Sequence, residues 1–255
     1  TGASSGLGEE FAIQLASRAR RLVLVARREA LMETLAERIR SEAPHIQITV
    51  LAADLADSSE RLRLVNALSA ADLVPDLLVN NAGLGDYGDF ATSEWQRIEA
   101  MLRVNMEALT HLTHAMLPGM IRKGGGAVIN VSSLASLLPI PDFAVYAATK
   151  AYVSSFSEAL RIELKPHGIP VLAVCPGPVH TGFGDVAKRG TNGRNIPGRE
   201  WFFVPKKTVV AEALAALDQN RARVYPGLRT AAAALLISAV PLLVLRAVMS
   251  LRPRA

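Results

Sequence analysis

Short runs of valine, leucine and isoleucine alternate along this chain with longer stretches in which apolar residues recur at helical spacing. The short runs are Leu22–Ala26, Ile48–Ala52, Leu77–Asn80, Ala127–Val131 and Val171–Val174. They lack polar alternation, which predicts strands buried on both faces. The stretches between them predict helices over about Gly6–Arg18, Glu29–Ser41, Ser58–Ala70, Glu94–Ile121 and Val145–Leu164. Strand–helix repetition of this kind predicts an α/β fold: a single doubly wound parallel sheet with helices on both faces and right-handed crossovers. No internal repeat, low-complexity linker or domain boundary interrupts it, so the 255 residues read as one domain.

One segment breaks the rhythm. Residues 180–205 are rich in Gly, Arg and Asn and follow the last clear strand, where ligands bind in open α/β sheets. Residues 182–205 are therefore expected to form a substrate lid. Trp95 and Trp201 read as packing residues, with Trp201, Phe202 and Phe203 also placed to line a pocket mouth.

The chain opens on Thr1-Gly2-Ala3-Ser4-Ser5-Gly6-Leu7-Gly8. Glycines at 2, 6 and 8 permit a tight strand-to-helix turn and close approach of backbone to a pyrophosphate. The helix N-terminus behind them offers free N–H groups and the positive end of its dipole. Such a loop needs a strand feeding it, so a first strand is expected ahead of Thr1. Asp54-Leu55 and Asn80-Asn81-Ala82-Gly83 also lie at strand C-terminal ends, beside the same crevice. The second strand ends Val25-Ala26-Arg27-Arg28 without an acid. A carboxylate there would repel the extra phosphate of NADP, whereas a guanidinium pairs with it bidentately. Arg27, nearer the strand end, is expected to take that phosphate, with Arg28 beside it and Ser4 adding a hydroxyl.

Tyr146 and Lys150 are four residues apart in Tyr-Ala-Ala-Thr-Lys, and Ser133 precedes the tyrosine by thirteen. Positions i and i+4 share a helix face. A neighbouring ammonium favours the phenolate, so Lys150 is expected to lower the pKa of Tyr146 from its usual value near 10. A drop of roughly 2–3 units needs about 3–4 kcal/mol, within reach of a close, partly desolvated cation. The product is a proton donor and acceptor for physiological pH.

Taken together, TGASSGLG at 1–8, DL at 54–55, NNAG at 80–83, Asn105, Ser133, YAATK at 146–150 and PGPVHT at 176–181 resemble the short-chain dehydrogenase/reductase family, in its order and spacing. The resemblance covers about residues 1–181; residues 182–255 match loosely and carry the substrate identity. It implies an NADP(H)-dependent oxidoreductase acting on a carbonyl or secondary alcohol. Tyr146 would donate or remove the proton, and Ser133 would orient the carbonyl. Lys150 would hold the ribose hydroxyls, and Asn105 would anchor a relay water. It implies cofactor contacts from Gly2, Ser4, Ser5, Gly6, Leu7, Gly8, Arg27, Arg28, Asp54, Leu55, Asn81, Ala82, Gly83, Tyr146, Lys150, Pro176, Gly177, Val179 and Thr181. The alternative is a non-catalytic NADP(H)-binding sensor or scaffold on the same fold. Such proteins usually lose the tyrosine or the lysine, and this chain has both. The family's matching helices pair across a two-fold axis. Met101, Leu102, Leu109, Leu112, Phe156 and Leu160 spread apolar surface over more than one face here, so a homodimer or homotetramer is expected.

Composition narrows the setting. The net charge is +5, with no basic block interleaved with aromatics, so no nucleic-acid partner is expected. The lone cysteine, Cys175, lies in an apolar run and fits a reducing, cytoplasmic location. His45, His111, His114, His167 and His180 show no ligand spacing, so no metal is expected. Near the C-terminus, residues 231–245 run without a charge, flanked by Arg229 and Arg246 and interrupted by Pro241. Fifteen residues of helix reach about 22 Å, short of the ~30 Å bilayer core. Residues 230–251 are expected to touch a membrane face peripherally and to cap the pocket, the alternatives being packing against protein alone and, as second choice, a single span. The same apolar surface points to a small lipophilic carbonyl or alcohol substrate.

Overall fold

The computed structural model describes residues 1–189 and 202–251. Two strands, β1 (Arg21–Ala26) and β2 (Gln47–Ala52), pair in parallel with Leu24 opposite Val50. A second parallel ladder holds β3 (Leu77–Asn80), β4 (Ala127–Val131), β5 (Val171–Val174) and β6 (Arg223–Val224), in that spatial order. Residues 1–3 lie between the ladders. Ala3 N donates to Val25 O at 3.3 Å, and the Thr1 nitrogen donates to Val79 O at 2.9 Å. The chain thus runs outward to β1 and β2 on one side and to β3 and its successors on the other. Its opening turn sits where the winding reverses, the place where a crevice forms.

Helices cover both faces of this layer. Phe11 of α1 (Gly6–Leu15) and Val209 and Leu214 of α8 (Lys206–Asp218) pack with Ile129 and Leu172. Met116 and Met120 of α5 (Leu109–Arg122) and Leu160 of α6 (Ala144–Leu164) pack with Val128 and Val171 on the other face. Adjacent residues of β4 and β5 therefore point into two different cores, and that is why these strands carry no polar alternation. The helices α2 (Glu29–Glu42) and α3 (Ser58–Ala70) complete the crossovers. Asp57 caps α3, its carboxylate accepting from the amides of Ser59 and Glu60. The architecture is a Rossmann-type doubly wound parallel α/β fold.

Several expectations change. The helix expected over 94–121 is α4 (Trp95–Leu102), a π-helical turn over Arg103–Ala108, then α5. Helix α8 and the two-residue β6 were not among the predicted elements. Trp95 is 61% exposed and not a packing residue. Within the expected lid, α7 (Phe183–Ala187) is short and helical. Residues 190–201, Trp201 among them, lie outside the described residues. The apolar tail folds as α9 (Leu228–Ala239) and α10 (Leu242–Ser250), bent by 112° around Pro241.

Candidate active site

The C-terminal ends of β1, β2, β3, β4 and β5 empty into one cleft of about 860 Å³. Of the residues singled out from the sequence, all but Gly8 and Asn105 line it. In the opening turn Gly2 and Gly6 hold φ of +66° and +64°, a backbone region that favours glycine. Gly8 lies beneath: a Cβ there would come within 2.2 Å of Gly2 O. No side chain caps the first turn of α1, because Ser5 makes no capping bond. Its hydroxyl instead accepts from Arg28 Nη2 at 2.7 Å, and the Ser4 hydroxyl accepts from the same guanidinium at 3.0 Å and 3.2 Å. Both arginines are exposed at the cleft edge, and Arg28 is the one bonded to Ser4 and Ser5 of the glycine turn. An uncapped helix start, bare glycine backbone and a guanidinium beside two hydroxyls form a cradle that fits the phosphates of a nicotinamide dinucleotide.

The turn is braced by a residue the motif reading passed over. Thr1 Oγ1 accepts from the amides of Asn81 and Ala82 at 3.0 Å each, and Asn81 Nδ2 donates to Thr1 O at 2.9 Å. The signal was its place directly ahead of Gly2. At the next strand end, the Asp54 carboxylate accepts from Ala56 N at 2.9 Å, which turns the chain so that Asp54 and Leu55 border the cleft.

Ser133, Tyr146 and Lys150 converge on the cleft floor. Ser133 leaves β4 and caps a short 3-10 turn over Leu134–Leu137, its hydroxyl accepting from Ala135 N at 3.1 Å. Tyr146 sits in the first turn of α6, and Lys150 follows one turn on. The tyrosine is 8% exposed, stacked on Phe143 at 4.2 Å between ring centroids and flanked by Phe183 at 5.4 Å. Burial pushes its phenol up to about 12, with a hydrogen bond from Ser133 opposing the rise. This corrects the expectation that Lys150 would lower it. Lys150 Nζ lies 5.7 Å from the ring centroid and donates to Val131 O at 2.8 Å. Burial lowers its own pKa to about 8, so desolvation is the largest influence on both groups.

Asn105 stands behind this floor, within the π turn and 1% exposed. Its Oδ1 accepts from Leu84 N at 2.8 Å, and its Nδ2 donates to Leu84 O at 2.9 Å and Thr149 Oγ1 at 3.0 Å. The side-chain amide is thereby spent on tying the loop after β3 to α6. A relay water would have to use backbone carbonyls that the π turn frees. A Cβ on Gly83 would lie 3.4 Å from Lys150 Nζ and 3.5 Å from Asn105 Oδ1, so the three positions meet.

Pro176, Gly177, Val179 and Thr181 follow β5 along the cleft wall. Much of the rest of the lining is apolar or aromatic and includes Leu84, Tyr87, Leu138, Ile140, Phe143 and Phe183, with Ser132, His180 and Lys188 also bordering it. Phe203 also lines it, stacked on His180 at 4.0 Å. No residue of α9 or α10 does. The tail's buried Thr230 instead packs on the Pro176–Gly177 turn, 3.0 Å from where a Gly177 Cβ would sit. The tail braces that turn and does not cap the pocket. Among the described residues no cluster of His, Cys, Asp and Glu is placed to hold a metal.

The profile of the short chain dehydrogenase family matches residues 1–191. A very-long-chain 3-oxoacyl-CoA reductase of Aspergillus terreus is 34% identical over 175 residues, 67% of this chain and 49% of that protein. A very-long-chain 3-oxoacyl-CoA reductase-like protein of Arabidopsis thaliana is 31% identical over 223 residues, 85% of this chain and 68% of that one. The chain spans about half the length of the first of these relatives. Among solved structures, a short-chain dehydrogenase from Sphingobium yanoikuyae in complex with NADPH superposes with a TM-score of 0.81 at 31% identity, covering 100% of this chain and 95% of that one. The chain belongs to the short-chain dehydrogenase family.

Proposed function

We propose that this protein is an NADP(H)-dependent oxidoreductase that interconverts a lipophilic ketone and its secondary alcohol, with Tyr146 as proton donor and acceptor. The observation that carries the reading is the buried Tyr146 phenol, held beside Ser133 on the floor of an apolar cleft. The dinucleotide supplies the hydride when bound. Gly2, Gly6 and the start of α1 would hold its pyrophosphate, Arg28 with Ser4 and Ser5 its extra phosphate, and Lys150 its ribose hydroxyls.

The chain's own residues then handle the carbonyl. Ser133 donates a hydrogen bond to the carbonyl oxygen and steadies the charge that develops there. Tyr146, pushed up to about 12, keeps its proton through neutral pH, the form needed to protonate that oxygen. Phe143 and Phe183 exclude water from the phenol. The NADPH complex of the Sphingobium relative and the reductase names of the fungal and plant relatives support the same reading.

Steady-state kinetics with NADPH and a panel of bulky ketones test it. Tyr146→Phe should lower kcat by about 10²–10⁴-fold and leave NADPH binding nearly unchanged. Arg28→Ala should weaken NADPH by about 10-fold or more and spare NADH, from the loss of one charge-assisted contact. Tyr146→Phe retaining more than about a tenth of the activity would overturn the reading.

We infer further that the protein forms a homodimer or homotetramer through the outer faces of α5 and α6, where Tyr152 and Phe156 stack at 5.8 Å. A monomer mass by light scattering at micromolar concentration would refute that assembly. The cytoplasmic face of a membrane is the location that suits its tail.

A further inference from the structure

The wall facing Tyr146 is carried by α7, which docks on the loop between β3 and α4 through polar contacts remote from the dinucleotide cradle. Asp86, 6% exposed, lies at their centre. Its carboxylate accepts from Arg189 Nε at 3.0 Å and Nη2 at 2.8 Å, from Arg97 Nε at 3.0 Å, and from the Ser93 hydroxyl. Arg97 reaches on to the carbonyls of Val186 at 3.2 Å and Lys188 at 3.0 Å. Arg189 reaches back to Asp89 O at 2.7 Å and Thr92 Oγ1 at 3.0 Å. Tyr87 N adds a backbone bond to Ala187 O at 2.9 Å. One carboxylate therefore holds two guanidiniums, and each of them grips the opposite side of the joint. Burial by itself would raise the Asp86 carboxyl; the bonds from Arg189, Ser93 and Arg97 outweigh it and hold the group below its ordinary value. It is an anion at neutral pH, and its bonds are charge-assisted.

Two glycines show how closely α7 is fitted. A Cβ on Gly85 would lie 2.7 Å from Phe183 Cζ and 3.0 Å from the Ala187 Cβ. A Cβ on Gly88, whose φ is +147°, would lie 2.8 Å from Arg189 Nη1. Bare backbone at both positions lets α7 settle against the loop, and the clamp then fixes it. Phe183 is thereby held against the Tyr146 ring, and Val186 beside it lines the cleft.

We propose that Asp86, with Arg97 and Arg189, is a positioning clamp that fixes α7 and so sets the wall of Phe183 and Val186 against which the substrate carbonyl is aimed at Tyr146. The proposal rests on Tyr146 being the proton donor. Asp86 acts through α7 and does not touch the reacting atoms.

The test uses the full chain with NADPH and a bulky aryl ketone. Misplacing a reacting group by about 1 Å costs on the order of 10²-fold, so Asp86→Asn should lower kcat/KM for the ketone by about that factor. NADPH affinity should stay within about threefold of wild type. Gly85→Ala displaces α7 without touching a charge and should reproduce the loss; it carries the test if Asp86→Asn does not fold. Phe183→Ala should lower kcat/KM alone but add nothing in the Asp86→Asn background, because both act through one wall. Losses that simply add would overturn the clamp. Amide hydrogen exchange gives a readout independent of turnover. The amides of Val186 and Lys188 should exchange at least about 10-fold faster in Asp86→Asn and Gly85→Ala, with α6 unchanged. Unchanged exchange in α7 refutes the clamp even if Tyr146 is the donor. An active Tyr146→Phe refutes the donor even if α7 loosens.

Discussion

The Lys150 ammonium is 4% exposed and donates to Val131 O at 2.8 Å. With its pKa lowered from 10.5 to about 8 by burial, it sets a stability profile whose sign can be worked out. Below pH 8 folded and unfolded chains both carry the proton, and the folded state bears the whole desolvation cost, about 3 kcal/mol. Between pH 8 and 10.5 the unfolded chain binds more protons, so stability rises with pH. Tyr146 runs the other way: raised from 10.0 to about 12, its contribution is full below pH 10 and lost as pH climbs toward 12. Lys150→Met should therefore abolish turnover yet raise stability at pH 7 by about 1–3 kcal/mol, net of the lost bond to Val131. It should also flatten the rise between pH 8 and 10. Urea unfolding at pH 7, 8 and 9 reads both effects; a destabilised variant with an unchanged slope would show that desolvation is not what governs this lysine. The sequence supplied the identity of these two residues but not their state. Spacing on a helix places a phenol and an ammonium on one face, whereas of the rings that dry the site Phe143 stands at the N-cap of α6 and Phe183 comes from α7. The two arginines are a similar case. The acid-free end of β1 marks a basic pair, but only the fold shows that Arg28 is bonded to the hydroxyls of Ser4 and Ser5.

At the scale of elements, the runs of Val and Leu located the first five strands to within a residue, because strands buried on both faces leave a plain signal. What the pattern could not show is the break in the long helix. Apolar residues keep helical spacing through 94–121, and nothing in that periodicity marks the π turn at Arg103–Ala108. The reason is tertiary: the turn presents Asn105 to Leu84 and Thr149, partners from two other segments. Helix α8 went unread although Val209, Val210, Ala213 and Leu214 form its inner face, since it follows an irregular stretch. Strand β6, two residues long, falls below any periodic signal. The role of the π turn can be measured. Asn105→Ala removes three buried hydrogen bonds and strands their partners, which should cost about 2–4 kcal/mol. A cost under about 1 kcal/mol in chemical denaturation would mean that the amide is not a structural tie and would restore a role confined to a relay water.

Over the whole molecule, the opening turn at the winding reversal gathers the ends of five strands, and the last two helices brace one wall of the cleft through Thr230 without lining it. Their surface therefore calls for its own account. Leu235, Leu236, Leu243 and Leu251 are 74%, 68%, 75% and 84% exposed, and α10 buries no residue at all. No acidic residue follows Asp218, while Arg229 and Arg246 flank the apolar run. No single helix is long and apolar enough to cross a membrane, and α9 and α10 meet that test only as a pair bent by 112°. An exposed apolar patch rimmed by arginines matches a surface that is apolar beneath and anionic above. The bend at Pro241 suits a segment lying in the interface better than one spanning it. Thr230 and Ala234, the buried residues of α9, fasten its inner side to the domain, so the pair is held in place with its leucines outward. The full chain should float with anionic vesicles and not with neutral ones, because each basic residue near a charged surface adds about 1 kcal/mol. Replacing Leu242, Leu243 and Val248 by Ser removes apolar contact without touching Thr230 or the Pro176–Gly177 turn. That variant should stay with the unbound fraction and retain wild-type NADPH affinity. If the full chain does not float at any salt concentration, or if the serine variant floats equally well, the tail is packed against protein and the membrane reading fails.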